Sequence, residues 1–162
     1  MKKVRNAVRT FVIVNEKVLC IKYKEKNVGY IDIPGGKIEA DETSMEAAIR
    51  EVREETGIEV NNLEEVGNVV IEYPDRTYNM NVFVTSDYRG KVRNNMENDA
   101  FFIDIDDLLK EEKRYAITYL LDNEFKDDFN NRKLNAKFNV DNNHNVINLS
   151  LIHIWRCRRT LG

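Results

Sequence analysis

Residues 36–58, GKIEADETSMEAAIREVREETGI, contain the start and end signals of one helix. Within this stretch, Thr43 is followed three positions later by Glu46, which is the pattern of a capping box and predicts a helix beginning at Ser44. Gly57 can end that helix in a left-handed turn, a conformation that glycine adopts without strain. The stretch therefore predicts a single helix with a defined start and a defined end.

The predicted helix has three chemically distinct sides. Apolar residues recur at helical spacing and form a stripe to be buried, namely Met45, Ala48, Ile49 and Val52. A second side carries the carboxylates of Glu51, Glu54 and Glu55. Like charges three or four positions apart cost about 0.2–0.5 kcal/mol per pair, and anions are disfavoured in the last turn of a helix. A divalent cation would remove this cost, and such hard oxygen ligands suit Mg²⁺ or Mn²⁺. The alternative is a solvated acidic helix face.

The spacing of these residues matches a known signature. The fixed positions are Gly36, Glu42, Arg50, Glu51, Glu54, Glu55 and Gly57, together with the aliphatic residues Val52 and Ile58. The pattern resembles that of the Nudix hydrolases at every fixed position. Two neighbouring positions depart from many members of that family, because Tyr30 stands in place of tryptophan and Asp41 in place of glycine. The resemblance implies an α/β fold, the Nudix-type α/β/α sandwich with a mixed sheet.

The resemblance also implies catalytic roles. Glu51, Glu54 and Arg50 are expected to be catalytic, with Glu51 or Glu54 as the base that acts on the attacking water. Arg50 would orient one of these glutamates through a charge-assisted hydrogen bond. Gly36 would contribute backbone to the metal or phosphate, and Glu42 would fix the loop that precedes the helix.

A metal site is the second implication. Glu51, Glu54 and Glu55 are expected to hold Mg²⁺ (or Mn²⁺), with Gly36 close to the ion. A further acid often completes such a site in the family, and here Glu97 is the first candidate. Asp99 is the second, and a charged loop that binds no metal is the alternative.

The expected reaction is Mg²⁺-dependent hydrolysis of a nucleoside diphosphate-linked substrate. Residues 138–147 faintly resemble the ending of oxidised-purine nucleoside triphosphatases, which favours a nucleoside triphosphate such as 8-oxo-dGTP, cleaved to the monophosphate and pyrophosphate. ADP-ribose or a nucleotide sugar is the second candidate substrate. A non-catalytic nucleotide-binding sensor and an acidic helix face that binds a basic protein remain as alternatives, although sensors of this family usually lose the glutamates that this chain keeps.

Length and charge limit the expected number of domains and the expected partners. The 162 residues are 42% hydrophobic, which is enough for one domain with a substantial core, expected to span residues 1–148. A net charge of −3 argues against general nucleic-acid binding. The sequence contains no apolar run of membrane-spanning length and its first residues do not resemble a signal peptide, so no membrane association and a cytoplasmic location are expected. A homodimer is left open.

The remaining elements follow from local pattern. Strands are predicted over residues 4–14, 18–21, 60–71, 78–85 and 101–105, a helix over 106–125, and a hairpin from 134–140 and 146–147. Leu108, Leu109, Ile117, Leu120 and Leu121 are the expected core of the second helix. Cys20 is expected to be a buried small apolar residue, and His144, which has no partner at catalytic or metal spacing, is expected to be structural.

Residues 149–162 change composition abruptly. They contain Trp155, which is the only tryptophan of the chain, and Cys157 with three arginines. The run resembles the translation of a sequencing adaptor, so we expect a non-native tail that takes no part in function. A genuine basic strand that continues the preceding hairpin is the alternative.

Overall fold

A large mixed sheet forms the centre of the fold. The structure, a computed structural model, describes residues 2–151. The strands are β1 (Lys3–Val14), β2 (Lys17–Tyr23), β3 (Ile31–Asp32), β4 (Gly35–Lys37), β5 (Glu59–Asn61), β6 (Glu64–Glu72), β7 (Arg76–Thr85), β8 (Asp87–Arg89), β9 (Asn98–Asp104), β10 (Leu134–Val140) and β11 (Val146–Leu151). The helices are α1 (Ser44–Thr56), α2 (Ile105–Leu108) and α3 (Lys126–Asn130), with 3₁₀ turns at Ala116–Leu121 and Asn123–Phe125.

The strand order is β11-β10-β6-β7-β1-β2-β3, with β4 also paired to β1 and β9 to β2. β1 runs parallel to β7 and β6 parallel to β10, and the other pairs are antiparallel. A separate pair is formed by β5 and β8. The predicted α/β class with a mixed sheet is therefore confirmed.

Helix α1 begins and ends where the sequence predicts. Both hydrogen bonds of the capping box between Thr43 and Glu46 are present, and Gly57 has a φ of 84° with its N–H donating to the carbonyl of Arg53. The buried face differs in one place, because the side chain of Ala47 is buried while Met45 is 43% exposed. The face in contact with the sheet is thus rotated away from the first-turn methionine, and the prediction that Met45 is buried is wrong.

The core has two layers because successive side chains of a strand point to opposite faces of the sheet. On one face, Val8, Val12 and Phe83 pack with Ala48 and Val52 of α1. On the other face, the larger cluster is built around residues such as Phe11, Cys20, Ile117, Leu120 and Phe138. Cys20 is fully buried, as predicted.

The single helix predicted over residues 106–125 is wrong. The chain between α2 and the first 3₁₀ turn consists of a turn and a bend followed by one isolated bridge between Arg114 and Ile31. This bridge is made by hydrogen bonds from Ile31 N–H to Lys113 O and from Tyr115 N–H to Ile31 O, both 2.9 Å. Satisfying the backbone of β3 therefore interrupts the helix. Leu108, Ile117 and Leu120 are buried as expected, whereas Leu109 and Leu121 are only partly buried.

Two strand predictions also need correction. The strand predicted over residues 60–71 is divided into β5 and β6, because Asn62 adopts a left-handed φ of 51° that an extended strand cannot accommodate. The strand predicted over residues 101–105 begins three residues earlier, because Asn98, Asp99 and Ala100 pair with the end of β2.

The last described strand extends past the predicted domain boundary. β11 continues through Leu151, and Leu149 pairs with Phe138 and packs against the larger core cluster. An apolar residue of any origin can make this contact when it alternates correctly, so a non-native origin for residues 149–162 stays a prediction. Residues 152–162, with Trp155 and Cys157, lie outside the described residues. None of the helices in the described part of the chain is long and apolar enough to span a membrane.

Candidate active site

Arg50 is the central cation of the site on α1. Its Nε and Nη2 donate to the two carboxylate oxygens of Glu42, at 2.6 and 2.9 Å, and Nη2 also donates to the carbonyl of Lys37 at 3.0 Å. Its Nη1 donates to Glu51 Oε1 at 2.9 Å and to Glu54 Oε2 at 3.3 Å. Arg50 therefore ties the loop before the helix to the helix itself and holds the Glu51 carboxylate in one position.

Glu42 is the loop anchor. It accepts the bidentate bond from Arg50, and its Oε1 also accepts from the N–H of Glu39 at 2.9 Å. The Arg50 guanidinium holds the pKa of Glu42 down, at about 2. The residue before it, Asp41, has a φ of 65°, which explains why a glycine suits this position and why aspartate, which tolerates the left-handed region, can replace it.

Gly35 and Gly36 bring backbone against the acidic side of α1. The N–H of Gly35 donates to Glu55 Oε1 at 2.8 Å. Gly36 lies so close to the Glu51 carboxylate that an added Cβ would be 2.5 Å from Oε1 and 2.8 Å from Oε2. Only glycine allows this approach. Glu51 and Glu55 therefore face the same two-residue segment of β4, at the edge of β1.

Burial raises the pKa of Glu51 and of Glu55. The Glu51 side chain is 16% exposed, and desolvation raises its pKa despite the bond from Arg50. Desolvation raises the pKa of Glu55 to about 8, an increase that the nearby Arg9 guanidinium and the Gly35 N–H oppose. The Glu54 side chain is the most accessible of the three to a ligand, because it is 56% exposed.

The carboxylates are adjacent without forming a closed metal cluster. Across residues 2–151, no three Asp, Glu, His or Cys side chains converge as metal ligands. Glu51 is turned to Arg50 and Glu55 to Gly35. The three glutamates still supply the hard oxygen donors that Mg²⁺ and Mn²⁺ use, on a side of the helix that carries excess negative charge.

The two acids predicted from outside the helix are placed differently. Glu97 is exposed on the turn that packs against the end of α1, where Asn98 Nδ2 donates to the carbonyl of Glu55 at 3.0 Å. Asp99 forms an ion pair with Lys24 at 3.1 Å. Glu97 therefore stays a candidate by position, and Asp99 has another partner.

A cavity of about 600 Å³ opens on the other face of β1. Three rings line it, those of Tyr73, Tyr115 and His144, and the ring of Tyr30 packs against Tyr115 and His144. The ring centroid of His144 lies 4.5 Å from that of Tyr115, and its Nδ1 is 2.8 Å from the hydroxyl of Tyr73. Tyr30 stacks on Tyr115 with centroids 5.7 Å apart, and its hydroxyl donates to the carbonyl of Asn143. This aromatic wall joins the loop after β2 to the turn before β11.

The inner end of the cavity holds a buried charged group. Asp32 is fully buried and accepts hydrogen bonds from the hydroxyl of Tyr23 at 2.9 Å, from the Ile33 N–H at 2.7 Å and from Arg9 Nη2 at 3.4 Å. Burial raises the pKa of Asp32, while Arg9 opposes the increase. Cationic side chains at the outer end are Arg5, Lys26 and Arg76. An acidic chain thus gathers positive charge around one cavity.

The sequence did not identify this cavity. His144 is the clearest case, because its partner Tyr73 lies 71 positions away and no local pattern joins them. Arg9 and Asp32 are likewise 23 positions apart. The one available signal was that both are charged residues inside apolar strand sequences, where a charge needs a partner.

Comparisons with known proteins identify the family of this chain. The family model of the NUDIX domain matches residues 3–122. An 8-oxo-dGTP diphosphatase from Proteus vulgaris is 33% identical over 64 residues, which are 40% of this chain and 57% of that protein. An oxidized purine nucleoside triphosphate hydrolase from Danio rerio is 36% identical over 74 residues, which are 44% of this chain and 47% of that protein. The chain thus spans about half the length of these curated relatives.

Solved structures share the fold. A MutT protein from Bacillus halodurans superimposes with a TM-score of 0.77 at 22% identity, covering 91% of this chain and 97% of that one. A MutT protein from Methanosarcina mazei Go1 gives a TM-score of 0.64 at 26% identity, covering 81% and 94%. The chain belongs to the NUDIX domain family, and its fold is that of the MutT-like members.

Proposed function

We propose that the protein is a Nudix pyrophosphohydrolase that cleaves a nucleoside triphosphate, with 8-oxo-dGTP as the first candidate, to the monophosphate and pyrophosphate. The observation that carries the proposal is one juxtaposition. The acidic side of α1 faces Gly35 and Gly36 at the edge of β1, and a cavity with an aromatic wall opens on the other face of that strand. A diphosphate-directed site and a space for a nucleoside are therefore neighbours.

The residues present fit a divalent cation. Glu51, Glu54 and Glu55 are the residues that would hold Mg²⁺ or Mn²⁺, with the Gly36 backbone beside them. Glu51 and Glu55 are carboxylates in a partly dry setting that favours a compensating positive charge. When bound, the ion would neutralise charge that develops on the phosphate oxygens and lower the pKa of a coordinated water.

The chain's own groups would perform the proton transfer. Water attacks phosphorus as the bond to the leaving pyrophosphate breaks, and Glu51 or Glu54 accepts the proton that the water loses. Arg50 holds the Glu51 carboxylate through its 2.9 Å bond, so that the geometry is set before substrate arrives. Glu42 in turn fixes Arg50 through two bonds.

The cavity supports a nucleoside at one end of the substrate. Base–aromatic stacking contributes about 1–3 kcal/mol per base, and Tyr73, Tyr115 and His144 supply rings of this kind in the cavity lining. A volume of about 600 Å³ lies in the range of small-molecule sites. The names of the two relatives quoted above point to an oxidised purine as the base.

A substrate screen tests the proposal. Purified protein is incubated with Mg²⁺ and one of 8-oxo-dGTP, dGTP, ADP-ribose, a nucleotide sugar or a dinucleoside polyphosphate, and released pyrophosphate or phosphate is measured. We expect pyrophosphate from 8-oxo-dGTP, and none when EDTA is added or when Glu54→Gln replaces the wild type. Faster release from ADP-ribose would instead assign the second candidate substrate. Binding without turnover of any compound would identify a sensor, and neither binding nor turnover would favour the protein-binding helix face.

A further inference from the structure

Arg9 stands between the cavity and the acidic helix. Its side chain lines the cavity, yet a Cβ added at Gly35 would lie only 2.6 Å from Arg9 Nη1. Gly35 is also the residue whose N–H donates to Glu55. One residue of backbone therefore separates the guanidinium from the Glu55 carboxylate, so Arg9 lies next to both the cavity and α1.

Some N–H donors of the Arg9 guanidinium have no hydrogen-bond acceptor among the described residues. Arginine carries five N–H donors. The structure accounts for one bond from Nη1 to the Val8 carbonyl at 2.9 Å and one long bond from Nη2 to Asp32 at 3.4 Å. The buried Nε has no partner within residues 2–151. If Arg9 served only to neutralise Asp32, we would expect a bidentate ion pair like the one between Arg50 and Glu42.

Asp32 and the neighbouring strands hold Arg9 in position. Asp32 is fully buried, and Tyr23 and the Ile33 N–H bind its carboxylate, so the anion cannot follow the arginine outward. The Arg9 side chain is only 13% exposed and comes from a strand paired on both sides, to β7 and to β4. Such a cation is held in place before a ligand binds, which lowers the entropic cost of binding.

We propose that Arg9 binds the phosphate that remains on the nucleoside after cleavage, and that Asp32 and Tyr23 act as positioning residues for it. This inference rests on the proposed function, because it assumes a nucleoside in the cavity and a diphosphate at α1. Guanidinium is suited to the role, since its planar donors match the oxygens of a phosphate. Arg9 then fixes which phosphorus lies against the glutamates, and so which anhydride bond is cleaved.

The test separates the phosphate contact from the rest of the molecule. Affinities of 8-oxo-dGMP and of 8-oxo-deoxyguanosine, which lacks the phosphate, are measured by calorimetry in EDTA for wild type, Arg9→Gln, Arg9→Gln/Asp32→Asn and Arg89→Gln. The double variant keeps the buried site neutral if the single one fails to fold. Arg89→Gln is the matched control, because it removes one cation from an exposed position that does not line the cavity.

We expect the wild type to bind the monophosphate more tightly than the nucleoside. Loss of Arg9 should weaken monophosphate binding by about ten- to hundredfold, the usual effect of a charged hydrogen bond, and leave nucleoside binding unchanged. Arg89→Gln should change both by less than about threefold. Equal loss for both ligands, or a larger loss for Arg89→Gln, would overturn the inference. If the wild type binds neither compound and cleaves no triphosphate, the proposed function fails and this inference with it; equal wild-type affinity for the two compounds overturns the inference alone.

Discussion

Replacing Gly36 with alanine should separate catalysis from folding. The added Cβ would lie 2.5 Å from Glu51 Oε1 and 2.6 Å from Glu51 Cδ, whereas ordinary contacts begin at about 3.4 Å. The carboxylate must therefore retreat by about 1 Å, against the bond that Arg50 makes to it. Misplacement of a reacting group by about 1 Å costs about a hundredfold in rate. We expect kcat/KM to fall by that factor, which corresponds to about 2.7 kcal/mol.

The same change should alter stability little. The displaced atoms are the far end of a side chain, and alanine in a strand is favoured over glycine by about 0.5–1 kcal/mol. We therefore expect the free energy of unfolding to change by about 1 kcal/mol or less. Steady-state hydrolysis of 8-oxo-dGTP in saturating Mg²⁺ measures the first effect and thermal unfolding the second. A Gly36→Ala variant that kept the wild-type kcat/KM would refute the assignment of Glu51 to the reaction.

Gly67→Ala is the opposite control. Its Cβ would collide with the backbone carbonyl of Leu134, where β6 pairs with β10, and backbone there cannot retreat without separating the strands. The expected loss is about 1–3 kcal/mol of stability, with unchanged activity per folded molecule. The two glycine variants should therefore produce opposite phenotypes.

Further predictions concern the metal, pH and the C-terminus. Glu54→Gln should nearly abolish hydrolysis while the melting temperature without metal stays level or rises, because a repulsion is relieved; retained activity in saturating Mg²⁺ would contradict the metal assignment. Mg²⁺ or Mn²⁺ should raise the melting temperature of the wild type by mass action, and a triple glutamine variant at Glu51, Glu54 and Glu55 should show little shift; equal shifts would place the ion elsewhere. Because the pKa of Glu55 is raised to about 8 from its ordinary 4.5, the folded state binds more protons than the unfolded state between these values. Stability measured by urea unfolding in EDTA should therefore fall as pH rises from about 4.5 to about 8, by up to about 1.4 kcal/mol per unit, and Glu55→Gln should flatten this dependence. Ending the chain after Asn148 should leave hydrolysis unchanged and cost about 1–3 kcal/mol, mainly from contacts of Leu149; loss of activity in a folded truncation would show that residues 149–162 contribute to function.

The parts that sequence predicts well are those fixed by neighbouring residues. The capping box at Thr43 and Glu46 and the glycine at position 57 define α1 because their partners lie within one turn. The ion pair of Arg50 with Glu54, four positions later, follows from the same helix geometry. Local signals thus suffice where local bonds determine the structure.

Contacts between residues that are far apart in the sequence explain the wrong helix prediction and the unpredicted cavity. The prediction of a helix over residues 106–125 is wrong because Ile31, more than eighty positions earlier, forms backbone hydrogen bonds with Lys113 and Tyr115. The cavity is hidden for the same reason, since His144 meets Tyr30 and Tyr73 only after the sheet has formed. A local sequence pattern does not identify partners that lie far away in the chain.

The position of His144 late in the sequence affects the order in which the acidic helix and the aromatic wall can form during synthesis. The acidic helix and the glycines beside it are complete by residue 57, whereas the turn that supplies His144 is made last and must close on Tyr30 and Tyr73. A growing chain therefore contains the glutamates of α1 well before it contains His144. Under the proposed function, a substitution in the turn that holds His144 should change nucleoside selectivity and leave the glutamates of α1 in place.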